Sequence, residues 1–359
     1  MNKIYNDDLI NVSSVVPKIE NFKNKTIFIS GSTGLIGTFI IDLFMHLNEV
    51  EGYNTTIISN GRNEERIKER FSNYLDSNNF KIYAKDINDG IDYEGDVDYI
   101  INCASNTHPK LYSTDPIGTI MTNIKGTDNI LKFASEKNAK KTLFLSSVEI
   151  YGVNVNNIER FKESDMGYID CNTLRAGYNE AKRAGEALCQ AYIEQKGIDI
   201  SIIRLPRLYG PTIKEDDTKA LSQFINKAIN KENIVLKSEG NQYFSYLYVA
   251  DAVSGILTTL IHGKKGEVYN LANVKSDIKL KDLANIIANY CGTEVIFDLP
   301  NEIEEKGYSK ATVARLDATK AEEELNWHPI YSIEDGVKKT IEILSNKKNK
   351  HNALKMKTN

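Results

Sequence analysis

Short runs rich in β-branched and aromatic residues alternate along the chain with longer stretches whose apolar positions recur at helical spacing. The short runs predict strands over residues 26–30, 55–59, 81–84, 99–103, 142–146, 200–205 and 267–271. Apolar residues recurring every three to four positions predict helices over 123–137, 178–196, 279–291, 318–325 and 333–345. Strand followed by helix, repeated, folds most simply as a parallel sheet covered on both faces, so the pattern predicts an α/β, doubly wound architecture. Beyond about residue 208 the rhythm weakens. There the chain reads as a smaller region interleaved with the sheet, carrying loops over 211–217 and 238–246, with the run at 267–271 returning to the sheet. The expected division is an N-terminal extension (1–24), a sheet domain (mainly 25–207), the interleaved region (mainly 208–345) and a disordered basic tail (346–359).

Composition narrows the function classes. A chain of 359 residues, 41% of them hydrophobic, can bury a large core. A net charge of −4 gives no reason to expect a nucleic-acid partner. Neither a signal-peptide core nor an 18-residue apolar run occurs, so neither export nor a membrane span is expected. Cys103, Cys171, Cys189 and Cys291 stand far apart. That spacing suggests no metal site and no disulfide framework, and fits a cytoplasmic, reducing location.

Two groups of residues carry candidate chemistry. Gly31, Gly34 and Gly37, spaced Gly-x-x-Gly-x-x-Gly, stand between the first predicted strand and a helix, and such a turn presents helix N–H groups to a dinucleotide pyrophosphate. Thr33, Leu35 and Ile36 belong to the same turn. The second strand leads into Arg62 instead of the acidic residue that would accept from a ribose 2′-hydroxyl. Arg62 could hold a 2′-phosphate, which favours NADP and leaves NAD as the alternative. Tyr178 and Lys182, four apart on a helix, share one face, so the ammonium can support a phenolate. Lowering a phenol from about 10 by ~3 units takes about 4 kcal/mol. Ser147, at the end of the fifth strand and 31 residues before Tyr178, can bond the same substrate oxygen.

Taken with the motif from Ser146 through Glu149 to Gly152 and that from Arg204 to Pro211, in this order and spacing, the sequence resembles the extended short-chain dehydrogenase/reductase family. The resemblance covers about residues 25–345 and is most similar to the UDP-glucuronate decarboxylase subgroup, through Ala104, Ser105, Tyr112, Asp115, Pro116, Thr122, Asn123, Gly126 and the run from Arg175 to Arg183. It implies a Rossmann sheet and an enzyme that modifies a nucleotide-diphosphate sugar by hydride transfer. It further implies that Asp86, Ile87, Ala104, Ser105, Pro206, Tyr178 and Lys182 touch the dinucleotide, and that Asn123, Ser147, Arg207, Tyr248 and Arg315 face the substrate. Glu149 is implied as an acid/base, and the helices at 123–137 and 178–196 as a homodimer surface. Two departures stand out. Val148 precedes Glu149 where relatives carry a polar or acidic residue. Phe244 stands where many have an arginine for the diphosphate, which leaves Arg207, Lys306, Lys310 or Arg315 to replace it. Three functions remain open: a cycling epimerase, dehydratase or decarboxylase; an NADPH-dependent keto-sugar reductase; and a non-catalytic dinucleotide-binding regulator.

Overall fold

The computed structural model describes residues 2–107, 112, 114–214, 216–299 and 312–358; the candidates Lys306 and Lys310 lie outside them. The β-rich runs form β1 (Thr26–Ser30), β2 (Thr56–Gly61), β3 (Phe80–Ala84), β4 (Tyr99–Asn102), β5 (Lys141–Ser147) and β6 (Ile200–Leu205). With β10 (Val268–Asn270) they make one seven-stranded sheet, ordered β10-β6-β5-β4-β1-β2-β3. Every adjacent pair is parallel. The order reverses between β1 and β4, and the strand ends at such a switch point open a crevice for a ligand. Helices cover both faces. Among them are α2 (Leu35–Glu51), α4 (Pro116–Glu136) and α5 (Ala176–Lys196), and between α1 (Lys3–Val15) and α2 no other helix of this kind intervenes among the described residues. Helix α4 starts seven residues before the periodic stretch does, because Asp115 caps it by accepting from the Gly118 N–H and Pro116 fits its first turn.

The interleaved region holds more regular structure than expected, including helices over Ala220–Ile229 and Val249–His262. The second half of the stretch 238–246, read as loop, belongs to β9 (Tyr243–Tyr248), which pairs with β7 (Arg207–Tyr209), β11 (Asp277–Lys279) and β13 (Val313–Ala314). All but one of its residues are buried, so the period of two that marks a half-exposed strand is missing.

Both chain ends carry helix. Helix α1 of the N-terminal extension inserts Asp8 into the core, where the carboxylate accepts from Tyr248 (2.6 Å), Tyr331 (2.9 Å) and Lys339 (2.9 Å). The backbone of the basic tail continues the last helix, Ile333–Thr358, instead of being disordered.

Candidate active site

The glycine-rich turn lies at the switch point. Gly31 has φ +63°, and a Cβ there would come within 2.8 Å of the Ala104 backbone after β4. The Ser30 hydroxyl locks that approach, donating to Asn102 (2.8 Å) and accepting from the Ala104 N–H (3.1 Å). Gly34 is the N-cap of α2 and supplies no side-chain cap, so the first N–H groups of a long helix are free to meet an anion. Gly37 fits its first turn against Ser32, whose carbonyl a Cβ would approach to 2.7 Å. The Ser32 hydroxyl is buried without a hydrogen-bond partner. An uncapped helix start, an open glycine and an unpaired hydroxyl fit a dinucleotide pyrophosphate.

Farther along the crevice the cofactor candidates separate. Arg62 follows β2 and is exposed. Asp86 turns one carboxylate oxygen onto the Asn88 N–H (2.9 Å), and the Ile87 side chain is buried toward Gly126 of α4. Pro206 is buried between β6 and β7. Lys214 was not expected. Burial lowers its pKa, and the charges of Arg66, Arg70 and Arg62 lower it further against the pull of Asp216. Arg70 ties the Lys214 loop to the glycine-rich turn by donating to the Thr212 carbonyl (2.7 Å) and the Thr38 hydroxyl (3.2 Å).

The chemical residues converge where β5 ends. Ser147 caps a short turn, its hydroxyl accepting from the Glu149 N–H (3.2 Å), which leaves its own proton free. Tyr178, in the first turn of α5, is buried, and the hydroxyls of Ser147 and Ser105 act to favour its phenolate. Burial raises the phenol to about 12, with Glu149 adding to the rise. Lys182 is buried, donates to the Leu145 carbonyl (2.8 Å), and is lowered to about 8 by burial. Its ammonium is 6.0 Å from the Tyr178 ring centroid. The two side chains therefore share the site, but in the protein alone burial is the largest influence on the phenol and favours its neutral form. Tyr112 stacks on Tyr178 with ring centroids 5.0 Å apart.

Glu149 is partly exposed between Arg207 (3.6 Å) and Arg175 (3.8 Å). The Arg207 guanidinium lies 3.5 Å from the Phe244 ring centroid, and its buried Nη1 has no hydrogen-bond partner. Arg207 thus occupies the side of β9 that Phe244 presents. Side chains alternate along a strand, which puts Tyr243 on the other side. There Arg315 stacks on Tyr243 (4.3 Å) and pairs with Glu159 (3.7 Å) and Asp277 (4.0 Å). The structure does not bring Arg315 to Glu149.

Two further substrate candidates are placed otherwise than expected. Tyr248 is 1% exposed and bound to Asp8, a core residue in place of a substrate contact. Buried Asn123 donates to the Thr119 carbonyl (2.8 Å) and accepts from Ser105 (2.9 Å), so it reaches the site only through Ser105.

Sequence reasoning missed the support beneath this floor. Glu186, one turn beyond Lys182, accepts from Ser146 (2.5 Å) and from Arg204 on β6 (3.0 and 2.7 Å). Arg204 also donates to the Tyr151 hydroxyl (3.0 Å), which donates to Asn270 (2.7 Å). The i,i+4 spacing of Glu186 from Lys182 was the available signal.

Comparison with known proteins adds the following. The model of the NAD dependent epimerase/dehydratase family matches residues 27–272. UDP-glucuronic acid decarboxylase 1 of Xenopus tropicalis is 28% identical over 320 residues, 88% of this chain and 71% of the relative. dTDP-glucose 4,6-dehydratase of Bacillus anthracis, solved with NAD, is 20% identical with a TM-score of 0.75, covering 90% of this chain and 98% of that one. UDP-glucuronic acid 4-epimerase of Bacillus cereus, solved with UDP-glucuronic acid and NAD, is 19% identical with a TM-score of 0.73, covering 89% and 99%.

Proposed function

The chain belongs to the NAD dependent epimerase/dehydratase family, and from that premise we propose that it modifies a nucleotide-diphosphate sugar by removing a hydride from C4 and later returning it. The sugar favoured is a uronic acid and the net reaction its decarboxylation. The observation that carries this is the convergence of Ser147, Tyr178 and Lys182 with a carboxylate, Glu149, set between two arginines. The name of the Xenopus tropicalis relative supports it.

Nicotinamide, when bound, supplies the hydride acceptor and later the donor. Tyr178 takes the C4 hydroxyl proton while Ser147 donates to the same oxygen. The resulting 4-keto uronic acid breaks its bond from C5 to the carboxyl group. CO₂ leaves, and the electron pair moves to the C4 oxygen, which Tyr178 and Ser147 hold. Arg207 and Arg175 are placed to seat the carboxylate before it leaves. Glu149 is placed to handle the proton that C5 then needs. Incubation with UDP-glucuronic acid should release CO₂ without net consumption of dinucleotide. Stoichiometric oxidation of NADPH with UDP-, CDP-, dTDP- or GDP-linked keto sugars would point to the reductase instead.

For the dinucleotide, the concentration of Arg62, Arg66, Arg70 and Lys214 beside β2 supports a 2′-phosphate, hence NADP over NAD. Arg62→Ala should weaken NADP by roughly 1.5–3 kcal/mol and leave NAD nearly unchanged. Calorimetry showing equal losses, or tighter NAD binding by the unaltered protein, would overturn that preference.

The assembly we propose is a homodimer in the cytoplasm. On α4, Ile117, Met121 and Ile124 expose an apolar stripe at helical spacing, and on α5 Ala184, Ala187 and Ala191 expose small side chains. Two copies meeting there would form a four-helix bundle. Met121→Asp should convert a dimer into a monomer by light scattering, and an unaltered protein that is already monomeric would refute the dimer. Among the described residues no helix is long and apolar enough to cross a membrane, and no group of His, Cys, Asp and Glu could hold a metal ion.

A further inference from the structure

A carboxylate with no exposed surface stands away from the catalytic floor, on the helix that precedes the family match. Asp8 lies on α1 with Tyr5, Leu9 and Val12, spaced so that they form one buried face. Burying a carboxylate is costly unless donors meet it, and here three do. Its Oδ2 accepts from the Tyr248 hydroxyl (2.6 Å), and its Oδ1 from the Tyr331 hydroxyl (2.9 Å) and the Lys339 ammonium (2.9 Å). The donors come from the end of β9, from the segment before the last helix and from that helix. On the same face of α1, Tyr5 donates to Asp42 of α2 (2.6 Å), which also accepts from Tyr74 (2.9 Å). Helix α1 thus joins α2, whose first turn meets the dinucleotide, to the strand that carries Phe244.

A buried ion pair is a weak stabiliser beside apolar packing of similar volume, so the geometry it fixes is the more telling part. What this one fixes is a strand. The strands β7 and β9 pair in register, Arg207 opposite Tyr246 and Tyr209 opposite Tyr248, and the Tyr209 and Tyr248 rings pack with centroids 5.6 Å apart. Toward the other end of β9 the Arg207 guanidinium lies on the Phe244 ring at 3.5 Å. A strand rises about 3.3 Å per residue, so roughly 13 Å of hydrogen-bonded strand separates Phe244 from Tyr248. We propose that Asp8 is a positioning residue for Arg207: through Tyr248 it holds β7 and β9 in place against α2, and so sets where the guanidinium stands relative to the dinucleotide. The functional part rests on the reading that Arg207 seats the substrate, whereas the holding of the strands can be observed without turnover.

The turn after β7 has a tie of its own to α2. The Thr212 hydroxyl donates to the Leu35 carbonyl (2.8 Å), and the Thr212 carbonyl accepts from Arg70 (2.7 Å). That tie stays in both variants below, so loss of the Asp8 contact loosens the strand pair without detaching it.

The test is amide hydrogen exchange read by mass spectrometry on the full-length protein without ligand. Tyr248→Phe removes only the hydroxyl that meets Asp8, and the ring that fills the core remains. Exchange over residues 207–209 and 243–248 should rise about tenfold, because a buried carboxylate oxygen loses its donor, while β1 and β4 change little. Tyr331→Phe takes a donor from the same carboxylate but not from β9, and should leave those two strands within about threefold of the unaltered protein. Unchanged exchange in Tyr248→Phe, or equal rises in both variants, overturns the proposal. With UDP-glucuronic acid as substrate, Tyr248→Phe should raise KM about fivefold, with kcat within about twofold and dinucleotide affinity unaltered, because Arg207 seats the sugar and moves no proton. An unchanged KM despite loosened strands would disconnect Asp8 from Arg207 and overturn the proposal as well. Absence of turnover in the unaltered protein would reject the functional reading, while the exchange experiment still decides whether Asp8 holds the strand pair.

Discussion

Tyr178→Phe is expected to lower kcat by at least ~10²-fold while dinucleotide binding is retained. The phenylalanine keeps the ring that stacks on Tyr112, and the glycine-rich turn is untouched, so only the proton-transfer oxygen is lost. The neutral phenol needs outside help to ionise, since burial holds it at about 12 and the Lys182 ammonium, 6.0 Å from the ring centroid, donates to the Leu145 carbonyl. The positive charge of an oxidised nicotinamide and the hydroxyls of Ser147 and Ser105 are the remaining sources of that help. Steady-state turnover with UDP-glucuronic acid, together with calorimetry of dinucleotide binding, checks the expectation. Near-unaltered turnover would remove Tyr178 from the mechanism.

What could be read in the sequence is what depends on neighbours along the chain. The glycine spacing, the placement of Ser147 at the end of a strand and the Tyr178–Lys182 pair on one helical face are local patterns, and all three are where the pattern put them. The parallel sheet was legible for the same reason, because each strand–helix unit announces itself. The strand β9 was not, since Phe244, Ser245, Tyr246 and Leu247 are buried on both faces and show no alternation.

Residues whose partners are distant in sequence were harder to read. Tyr248 looked like a substrate contact, but its partner Asp8 is 240 residues away on a helix that the family resemblance does not cover. Arg207 and Arg315 carry the same charge, and only the alternation of β9 puts the first beside Glu149 and the second beside Asp277. The pair of departures at Arg207 and Phe244 has a joint physical meaning that neither has alone. The aromatic ring supplies a flat surface on which the guanidinium stacks, so a positive charge is kept on that side of β9 although the strand itself no longer carries it.

The central claim is a cycle in which a 4-keto sugar forms, changes at C5 and is reduced again, and Glu149 is the residue that distinguishes this cycle from a simple reduction. Glu149 is the only acidic side chain in the turn after β5, and Glu149→Gln keeps its shape while removing its charge and its ability to exchange a proton. Net product should fall by on the order of 10²-fold, while the first hydride transfer, which needs only Ser147 and Tyr178, continues. The direct measurement is single-turnover absorbance at the reduced-nicotinamide band, with Glu149→Gln, UDP-glucuronic acid and whichever of NADP and NAD the calorimetry shows to bind more tightly. Accumulation of reduced cofactor is the predicted result; no accumulation, together with undiminished NADPH consumption on a keto sugar, would contradict the account.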